Sequence, residues 1–410
     1  MSKPTVVHLI TSLKFGGAER FLLDVFPHLD HKTYNHIIYP LMHTGELLSD
    51  DKYPVYEYNT SPFWLTVFTA RKGWHKWFKP LLPFYYFYRS IRYLNSNTSD
   101  TTIVYICQLG LAFSFADKCK NWLSKNPCHW VLRVGSDIDS PIYFPKPIES
   151  LCVKAVYPLF KTMLSQAPTI TTVDPELSQK IIKRFKQTRS KVHTISNCCQ
   201  PIPPTKETEP TSHLNASIEK QLGDKWFIAA GRLHYQKGFD FLIKAFKTFQ
   251  TTHPDYKLVI LGEGSQRQEL ERLIQQLNLN NHVLLPGFIK NPERLIAKAR
   301  ACIVSSRSEG FCKVIVEAMM VGQIVISDDC DFGPRTIIKH CENGFLYTHQ
   351  TIDALIQQLK EVIELPASTR EAISDAAQER ASDFSPLQVA KTYQALLNNH
   401  KEGKLKVITI

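Results

Sequence analysis

The chain has 410 residues, of which 43% are hydrophobic and 21% are charged. These fractions are ordinary for a globular protein, so they exclude a fibrous or intrinsically disordered chain, and the length predicts two domains. The 49 Lys and Arg against 38 Asp and Glu give a formal net charge of +11, which suits a phosphorylated ligand, an anionic membrane surface or nucleic acid.

The ten cysteines show neither a disulfide framework nor the CxxC pairs of a zinc site, which predicts reduced thiols in a cytoplasmic protein. The apolar run at residues 6–10 is too short for the core of a signal peptide. No stretch of 18 apolar residues is present, so the sequence predicts no transmembrane helix.

The first half of the chain alternates short apolar runs with segments of helical periodicity, which predicts βαβ units and a parallel sheet with right-handed crossovers. Strands are predicted over residues 6–10, 37–41, 103–106 and 130–134, and a helix over 18–29. The glycine pair Gly16 and Gly17 precedes that helix. Such a pair lets the backbone approach a ligand, but it lacks the GxGxxG pattern of a dinucleotide site and is equally compatible with a plain turn.

Residues 62–94 form a basic aromatic segment, and no acid occurs between Glu57 and Asp100. Aromatic and cationic side chains without acids suit the headgroups of an anionic membrane. This segment is therefore predicted to face a membrane surface, with an ordinary packed helix carrying a solvated basic face as the alternative. Nucleic acid is not expected, because no recognised binding motif accompanies the charge.

A linker is predicted over residues 201–224, which are rich in proline, threonine and glutamate and poor in large apolar residues. It separates an amino-terminal domain of residues 1–200 from a carboxy-terminal domain of residues 225–385. A final helix and tail over 386–410 is expected to pack back on the amino-terminal domain. In the carboxy-terminal domain, strands are predicted over 226–230, 257–261, 283–285, 302–305 and 324–327, and helices over 239–249, 265–277 and 312–321.

The loop after the strand at 226–230 carries Arg232 and Lys237 between Gly231 and Gly238. Arginine offers a planar fork and lysine a point charge, so the two cations can bind one diphosphate. The helix that follows adds backbone amides for phosphate oxygens. The alternative is a pair of solvated cations.

A second polar loop follows the strand at 302–305, with Glu309 before Gly310 and Glu317 in the second turn of the next helix. Free amides at the start of that helix attract an anion. Two carboxylates beside such amides suit a polyol attached to a diphosphate. Taken alone, Glu309 as a cap partner and Glu317 as an ordinary helix residue explain the pattern equally well, but the Arg232 and Lys237 loop favours a ligand site.

Taken in order, these motifs resemble those of the retaining GT-B glycosyltransferases of family 4. The resemblance is specific over residues 225–347 and weaker but collinear over 1–200. It is carried by Gly-Gly-Ala-Glu-Arg at 16–20, Gly-Arg-Leu…Gln-Lys-Gly at 231–238, Gly-Glu-Gly at 262–264, Glu-Gly-Phe…Glu-Ala-Met at 309–319, Phe-Gly-Pro-Arg at 332–335 and Asn-Gly-Phe-Leu at 343–346. It implies an α/β fold of the GT-B type, with two facing Rossmann-like domains, parallel sheets and an interdomain cleft.

The resemblance also implies roles for particular residues. Arg232 and Lys237 would hold the donor diphosphate and stabilise the departing nucleotide, as fixed cations do at a developing anion. Glu309 would orient the donor sugar, and Glu317 would bind the ribose hydroxyls. The other residues predicted to bind the donor, by the resemblance or by their place after a strand, are Gly16, Gly17, Gly264, Phe288, Gly310, Phe311, Val314 and Ile315.

The amino-terminal half departs from the family pattern. Gln108 lies where members often carry a histidine, and Arg133 and Asp137 lie where another histidine-containing loop is common. These three residues are therefore predicted on the acceptor side.

Aspartates at residues 328–331 and 137–139 are compatible with a metal site, but the resemblance implies cations and a helix end at the leaving group, so neither a metal nor a cofactor is expected. The predicted function is retaining transfer of a hexose from a nucleotide-diphosphate sugar, with UDP favoured. The expected acceptor is an envelope polysaccharide, lipopolysaccharide or lipid-linked saccharide, met at the inner face of the cell membrane by a peripheral cytoplasmic enzyme. A nucleotide-sugar epimerase and a non-catalytic nucleotide-sugar-binding protein are the alternatives.

Overall fold

The computed structural model describes residues 3–10, 17–40, 103–106, 129–135, 164, 167–185, 191–201, 220 and 222–401. The chain divides into two compact units: Met1–Ser196 with Ala390–Ile410, and Asn197–Val389. The basic aromatic segment at 62–94, most of the predicted linker and the tail from residue 402 lie outside the described residues. Among the described helices, none combines the length and apolar character that crossing a bilayer requires.

The amino-terminal unit contains a parallel sheet with the strand order β2-β1-β3-β4-β5-β6 among its described residues. The strands are β1 (Thr5–Ile10), β2 (Asn35–Pro40), β3 (Ile103–Ile106), β4 (His129–Val134), β5 (Thr169–Thr172) and β6 (Val192–Thr194). The first two described helices are α1 (Gly17–Val25) and α2 (Pro175–Arg184). Parallel strands are covered on both faces, which is why β1 is an almost continuous buried run.

The carboxy-terminal unit contains a second parallel sheet, with the described strands in the order β12-β11-β10-β7-β8-β9. The strands are β7 (Trp226–Ala230), β8 (Lys257–Leu261), β9 (Val283–Gly287), β10 (Cys302–Val304), β11 (Val325–Asp328) and β12 (Phe345–Tyr347). The helices are α3 (Phe239–Gln250), α4 (Arg267–Gln276), α5 (Glu293–Lys298), α6 (Lys313–Met320), α7 (Pro334–Ile337), α8 (Ile352–Glu364) and α9 (Ala367–Ser382), followed by α10 (Pro386–Lys401), of which only the residues up to Val389 belong to this unit. The predicted α/β fold with parallel sheets is thereby confirmed.

Two differences from the predicted elements have simple physical causes. The helix predicted over 18–29 ends at Val25, and Pro27 lies in the short 3-10 turn Phe26–His28 that follows. Proline lacks the amide that would continue the α-helical ladder. Strand β5 was not predicted, because its buried residues are mostly threonines rather than an apolar run.

The two units meet in sequence at Asn197, before the predicted linker at 201–224. Cys198 and Cys199 are buried, and the Cys199 amide donates to the Phe384 carbonyl at 3.0 Å. The carboxy-terminal unit therefore begins at Asn197 rather than at residue 225 as predicted.

Helix α10 belongs to the amino-terminal unit from Ala390 onwards. Its Tyr393 hydroxyl lies 3.4 Å from Nδ1 of buried His8, and His8 Nε2 lies 3.1 Å from Nδ1 of His36. Burial is the main cause that lowers the pKa of His36 to about 4. Burial also lowers the pKa of His8 well below its usual value, so both histidines are neutral at neutral pH and join the helix to β1 and β2 as uncharged hydrogen-bond partners.

Candidate functional site

The strand order places a topological switch point between β7 and β10. From β7 the chain proceeds to β8 and β9 on one side and to β10, β11 and β12 on the other. Ligands of open parallel sheets bind beyond the carboxyl ends of the strands at such a point. The loops that leave these two strands, residues 231–238 and 305–312, are called the loop pair below. They carry the two polar motifs that the sequence singled out.

Backbone and side-chain hydrogen bonds join the two members of the loop pair. Ser305 Oγ donates to the Lys237 carbonyl at 2.9 Å, and the Arg307 amide donates to the Gln236 carbonyl at 2.8 Å. Gly238 has φ +64°, and a Cβ there would lie 2.1 Å from the Ser305 carbonyl oxygen. Only glycine fits both the left-handed backbone and this close approach. The two loops therefore form one rigid arrangement.

Lys237 and Glu309 form an ion pair inside the loop pair. Lys237 Nζ lies 2.6 Å from Glu309 Oε1, and the side chains are 23% and 8% exposed. Burial opposes the charge of Lys237, but the neighbouring Glu309 carboxylate outweighs it and raises the pKa of Lys237. Ser306 Oγ donates to the same Glu309 oxygen at 2.6 Å. The lysine predicted for the phosphates and the glutamate predicted for the sugar are thus adjacent.

Arg232 is exposed. No described residue accepts a hydrogen bond from its guanidinium or forms an ion pair with it. It lies in the same loop as Lys237, so the loop offers one cation that is paired and one that is available to an anion.

Glu317 is half-buried in α6. Burial and then the charge of Glu317 raise the pKa of Cys302, the first residue of β10, to about 12.

The start of α6 differs in detail from the predicted anion site. The Ile315 amide donates to the Cys312 carbonyl at 3.1 Å, so it is already satisfied and the predicted phosphate contact of Ile315 is not supported. Val314 is half-buried in the first turn. Cys312 precedes the helix with φ 60°, an unusual conformation for a residue with a side chain. Burial, and then the Glu309 charge, raise the pKa of its thiol well above the usual range.

Gly262 and Gly264 serve the packing of one loop on another. A Cβ on Gly262 would lie 1.9 Å from the Gly231 carbonyl oxygen, and one on Gly264 would lie 2.3 Å from that of Leu233. The Leu233 amide donates to the Glu263 carbonyl at 2.9 Å. The structure therefore gives Gly264 a backbone-packing role that holds the Arg232 loop in place.

Phe288, Gly310 and Phe311 were predicted to bind the donor. Phe288 follows β9 and is 69% exposed, so its ring is open to a planar ligand. Gly310 is half-buried within the loop pair. Phe311 is buried, with its ring centroid 5.2 Å from that of Phe384. Its side chain therefore packs inside the unit, and only its backbone remains for a ligand.

Two of the aspartates considered for a metal, Asp328 and Asp329, are engaged by other groups of this unit, and Asp137 and Asp139 lie outside the described residues. Buried Asp328 ends β11, and its carboxylate accepts from His349 Nδ1 at 2.5 Å and from the Gln350 amide at 2.9 Å. Asp329 pairs with Arg335 at 2.9 Å. Within the described part of the chain, no three His, Cys, Asp or Glu side chains are grouped as metal ligands would be. The sequence missed the Asp328–His349 contact because 21 positions separate the two residues.

In the amino-terminal unit, Gly17 opens α1, while Gly16, Gln108 and Asp137 lie outside the described residues. Arg133 ends in the buried interior, with its guanidinium 3.9 Å from the centroid of the Phe21 ring. This burial favours a packing role for Arg133 over the predicted acceptor contact.

Residues 212–380 match the model of the family described as Glycosyl transferases group 1. An uncharacterised glycosyltransferase of Methanocaldococcus jannaschii is 34% identical over 202 residues, which are 47% of this chain and 48% of that protein. The N-acetylgalactosamine-N,N'-diacetylbacillosaminyl-diphospho-undecaprenol 4-alpha-N-acetylgalactosaminyltransferase of Campylobacter jejuni is 35% identical over 170 residues, 42% of this chain and 46% of that protein. The chain thus spans about half the length of the curated relatives it matches.

The likeness in three dimensions extends further along the chain. HepE of Anabaena, solved in complex with UDP and glucose, superposes with a TM-score of 0.70 at 20% identity, covering 96% of this chain and 99% of that one. At this identity the likeness establishes the fold alone. The chain therefore has the GT-B fold of two Rossmann-like sheets, and its residues 212–380 match the glycosyl transferases group 1.

Proposed function

We propose that the chain is a glycosyltransferase that moves a hexose from a nucleotide-diphosphate sugar, with UDP as the nucleotide. The observation that carries the proposal is the ion pair between half-buried Lys237 and buried Glu309 at the switch point, in the same loop pair as exposed Arg232. Arg232 and Lys237 bind the diphosphate, and Glu309 orients the sugar. Fixed cations at the position of a departing anion provide the largest electrostatic stabilisation that a transfer of this kind can receive.

Further contacts to the donor follow from the same surface. Glu317 binds the ribose hydroxyls, and the exposed ring of Phe288 stacks on the base. The backbones of Gly310 and Phe311 and the amide of Val314 lie near the phosphates. The reaction needs no metal, because the cations and the start of α6 neutralise the leaving group.

We further propose that transfer retains the configuration at the sugar carbon, as the family 4 resemblance implies. The bond from the sugar C1 to the phosphate oxygen breaks, and its electron pair leaves with the nucleoside diphosphate. The acceptor hydroxyl forms the new bond on the same face, and its proton passes to the departing phosphate. An enzyme nucleophile is therefore unnecessary.

The acceptor that we propose is an envelope polysaccharide, a lipopolysaccharide or a lipid-linked saccharide. The printed name of the Campylobacter relative describes a transferase acting on a diphospho-undecaprenol saccharide, which supports a lipid-linked acceptor. A nucleotide-sugar epimerase would instead convert the donor without any acceptor, and a non-catalytic binding protein would leave the donor intact. Transfer to an added acceptor by the wild type, and its loss in Glu309→Ala, distinguishes the proposal from both.

The donor is identified by thermal unfolding in the presence of UDP, GDP and ADP and their sugars. At a hundredfold excess over Kd, we expect UDP to raise the Tm by about 5–10 °C. The shift should vanish in Arg232→Ala and persist in Arg272→Ala, a matched control at an exposed arginine of α4. An unchanged UDP shift in Arg232→Ala would falsify the phosphate role of Arg232. No shift with any nucleotide would refute the proposed donor class.

We also propose that the protein associates peripherally with the inner face of the cell membrane through residues 62–94. The net charge of +11 and the absence of acids between Glu57 and Asp100 support this. The protein should sediment with anionic vesicles at low salt and remain in solution with neutral ones. Joint replacement of Trp74, Lys76, Trp77 and Lys79 should abolish sedimentation, and binding that survives this replacement contradicts the proposal.

A further inference from the structure

We infer that Ser306 is a positioning residue for Glu309, an inference that rests on the function proposed for the loop pair. Ser306 is 2% exposed and follows the end of β10. Its hydroxyl and the Lys237 ammonium each donate to Glu309 Oε1, both at 2.6 Å. Two donors therefore converge on one oxygen of a buried carboxylate.

The other oxygen of Glu309 is left for a ligand. No described residue donates a hydrogen bond to Oε2. A carboxylate offers about four acceptor sites on its two oxygens. Holding Oε1 from two directions fixes the plane of the carboxylate, so Oε2 keeps one orientation. In this orientation Oε2 can accept a hydrogen bond from a hydroxyl of the sugar.

The two donors differ in what happens when a nucleotide sugar binds. Lys237 is a cation that the diphosphate attracts, so its ammonium is shared between phosphate and Glu309 in the complex. Ser306 is neutral, so the charge of the diphosphate does not draw its hydroxyl away from Glu309. It therefore becomes the donor that keeps Glu309 oriented while the reaction proceeds. Arrangements that hold a reacting group in this way act on turnover more than on nucleotide affinity.

Neighbouring serines provide a matched comparison. Ser305 Oγ donates to the Lys237 carbonyl at 2.9 Å and so fixes the backbone of the loop pair. Ser308 is half-buried two positions after Ser306, and its hydroxyl makes no hydrogen bond among the described residues. Ser308→Ala keeps the backbone carbonyl to which Gln236 donates. It therefore reports the effect of removing a hydroxyl from this loop without touching Glu309.

A double-mutant cycle, measured in the absence of a nucleotide sugar, tests whether Ser306 and Lys237 hold the same oxygen of Glu309. Thermal unfolding is measured for wild type, Ser306→Ala, Lys237→Met and the double variant. If both groups hold Oε1, the two losses of Tm are not additive, because each single change alters what the remaining donor contributes. Additive losses would overturn the inference. This result stands whether or not the protein binds nucleotide sugars.

The role in turnover is tested by the rate of UDP-sugar hydrolysis at saturation and by the Kd of UDP. Ser306→Ala should lower the rate by about tenfold, the cost of a hydrogen bond to a charged group, and change the Kd of UDP by less than about threefold. Ser306→Thr should restore most of the rate, and Ser308→Ala should leave it unchanged. A rate in Ser306→Ala within about twofold of wild type, or no rescue by threonine, overturns the inference. Failure of the wild type to bind any nucleotide would refute the proposed function instead.

Discussion

Lys237→Met is expected to lower glycosyl transfer by about a thousandfold, the upper range for removing one group that stabilises a developing anion. The substitution removes the cation that lies 2.6 Å from Glu309 and leaves a carboxylate that is 8% exposed without its charged partner. Breaking such a pair also lowers the free energy of unfolding, here by roughly 2 kcal/mol, since Lys237 keeps some solvent contact. Initial rates at saturating donor and urea unfolding measure the two effects.

Lys244→Met is the matched control, because Lys244 is an exposed lysine of α3 beyond the loop pair. It should alter neither the rate nor the stability by more than the scatter of surface substitutions, about 0.5 kcal/mol. A Lys237→Met protein that transfers sugar within tenfold of wild type would show that Lys237 does not stabilise the leaving group.

Gly238→Ala is expected to disrupt the loop pair and to abolish UDP binding. The added Cβ would lie 2.1 Å from the Ser305 carbonyl oxygen, at a residue whose φ is +64°. Relief of that overlap must separate the loops that hold Lys237 and Glu309. We expect a loss of about 3 kcal/mol or more in the free energy of unfolding, measured by urea titration, and no Tm shift with UDP.

Gly223→Ala separates backbone strain from this overlap. Gly223 has a similar φ of +69°, but a Cβ there meets no heavy atom of the described residues within 4 Å. Its substitution should cost only the left-handed conformation, about 1 kcal/mol, and keep UDP binding. Equal losses in the free energy of unfolding of the two variants would mean that close packing of the loops contributes nothing to stability.

The sequence by itself determined the bounds of those strands of the carboxy-terminal unit that consist of buried apolar residues. Strands β7 and β8 have the bounds that were predicted, because a parallel strand covered on both faces needs an uninterrupted apolar segment. The loop with Arg232 and Lys237 and the loop with Glu309 were predicted as ligand loops, since glycines and charges follow each strand directly. These features are local, so they can be recognised without the fold.

Less of the amino-terminal unit was determined in this way. Threonine-rich β5 carries no apolar signal although its residues are buried. The carboxy-terminal unit begins at Asn197, where the Cys199 amide donates to the distant Phe384 carbonyl. Arg133 was predicted on the acceptor side, but its guanidinium packs on Phe21. Burial and partners of this kind depend on segments far apart in the chain.

The tertiary structure alone decided which groups of the site meet. Lys237 and Glu309 are 72 positions apart, and only the order of β7 beside β10 brings them to one point. Ser306 contacts Glu309 from three positions earlier in the same loop, and the turn before α6 occupies the Ile315 amide that was predicted for phosphate. Sequence spacing fixes what lies within one loop. Contacts between loops follow from strand order and backbone packing, which no single segment encodes.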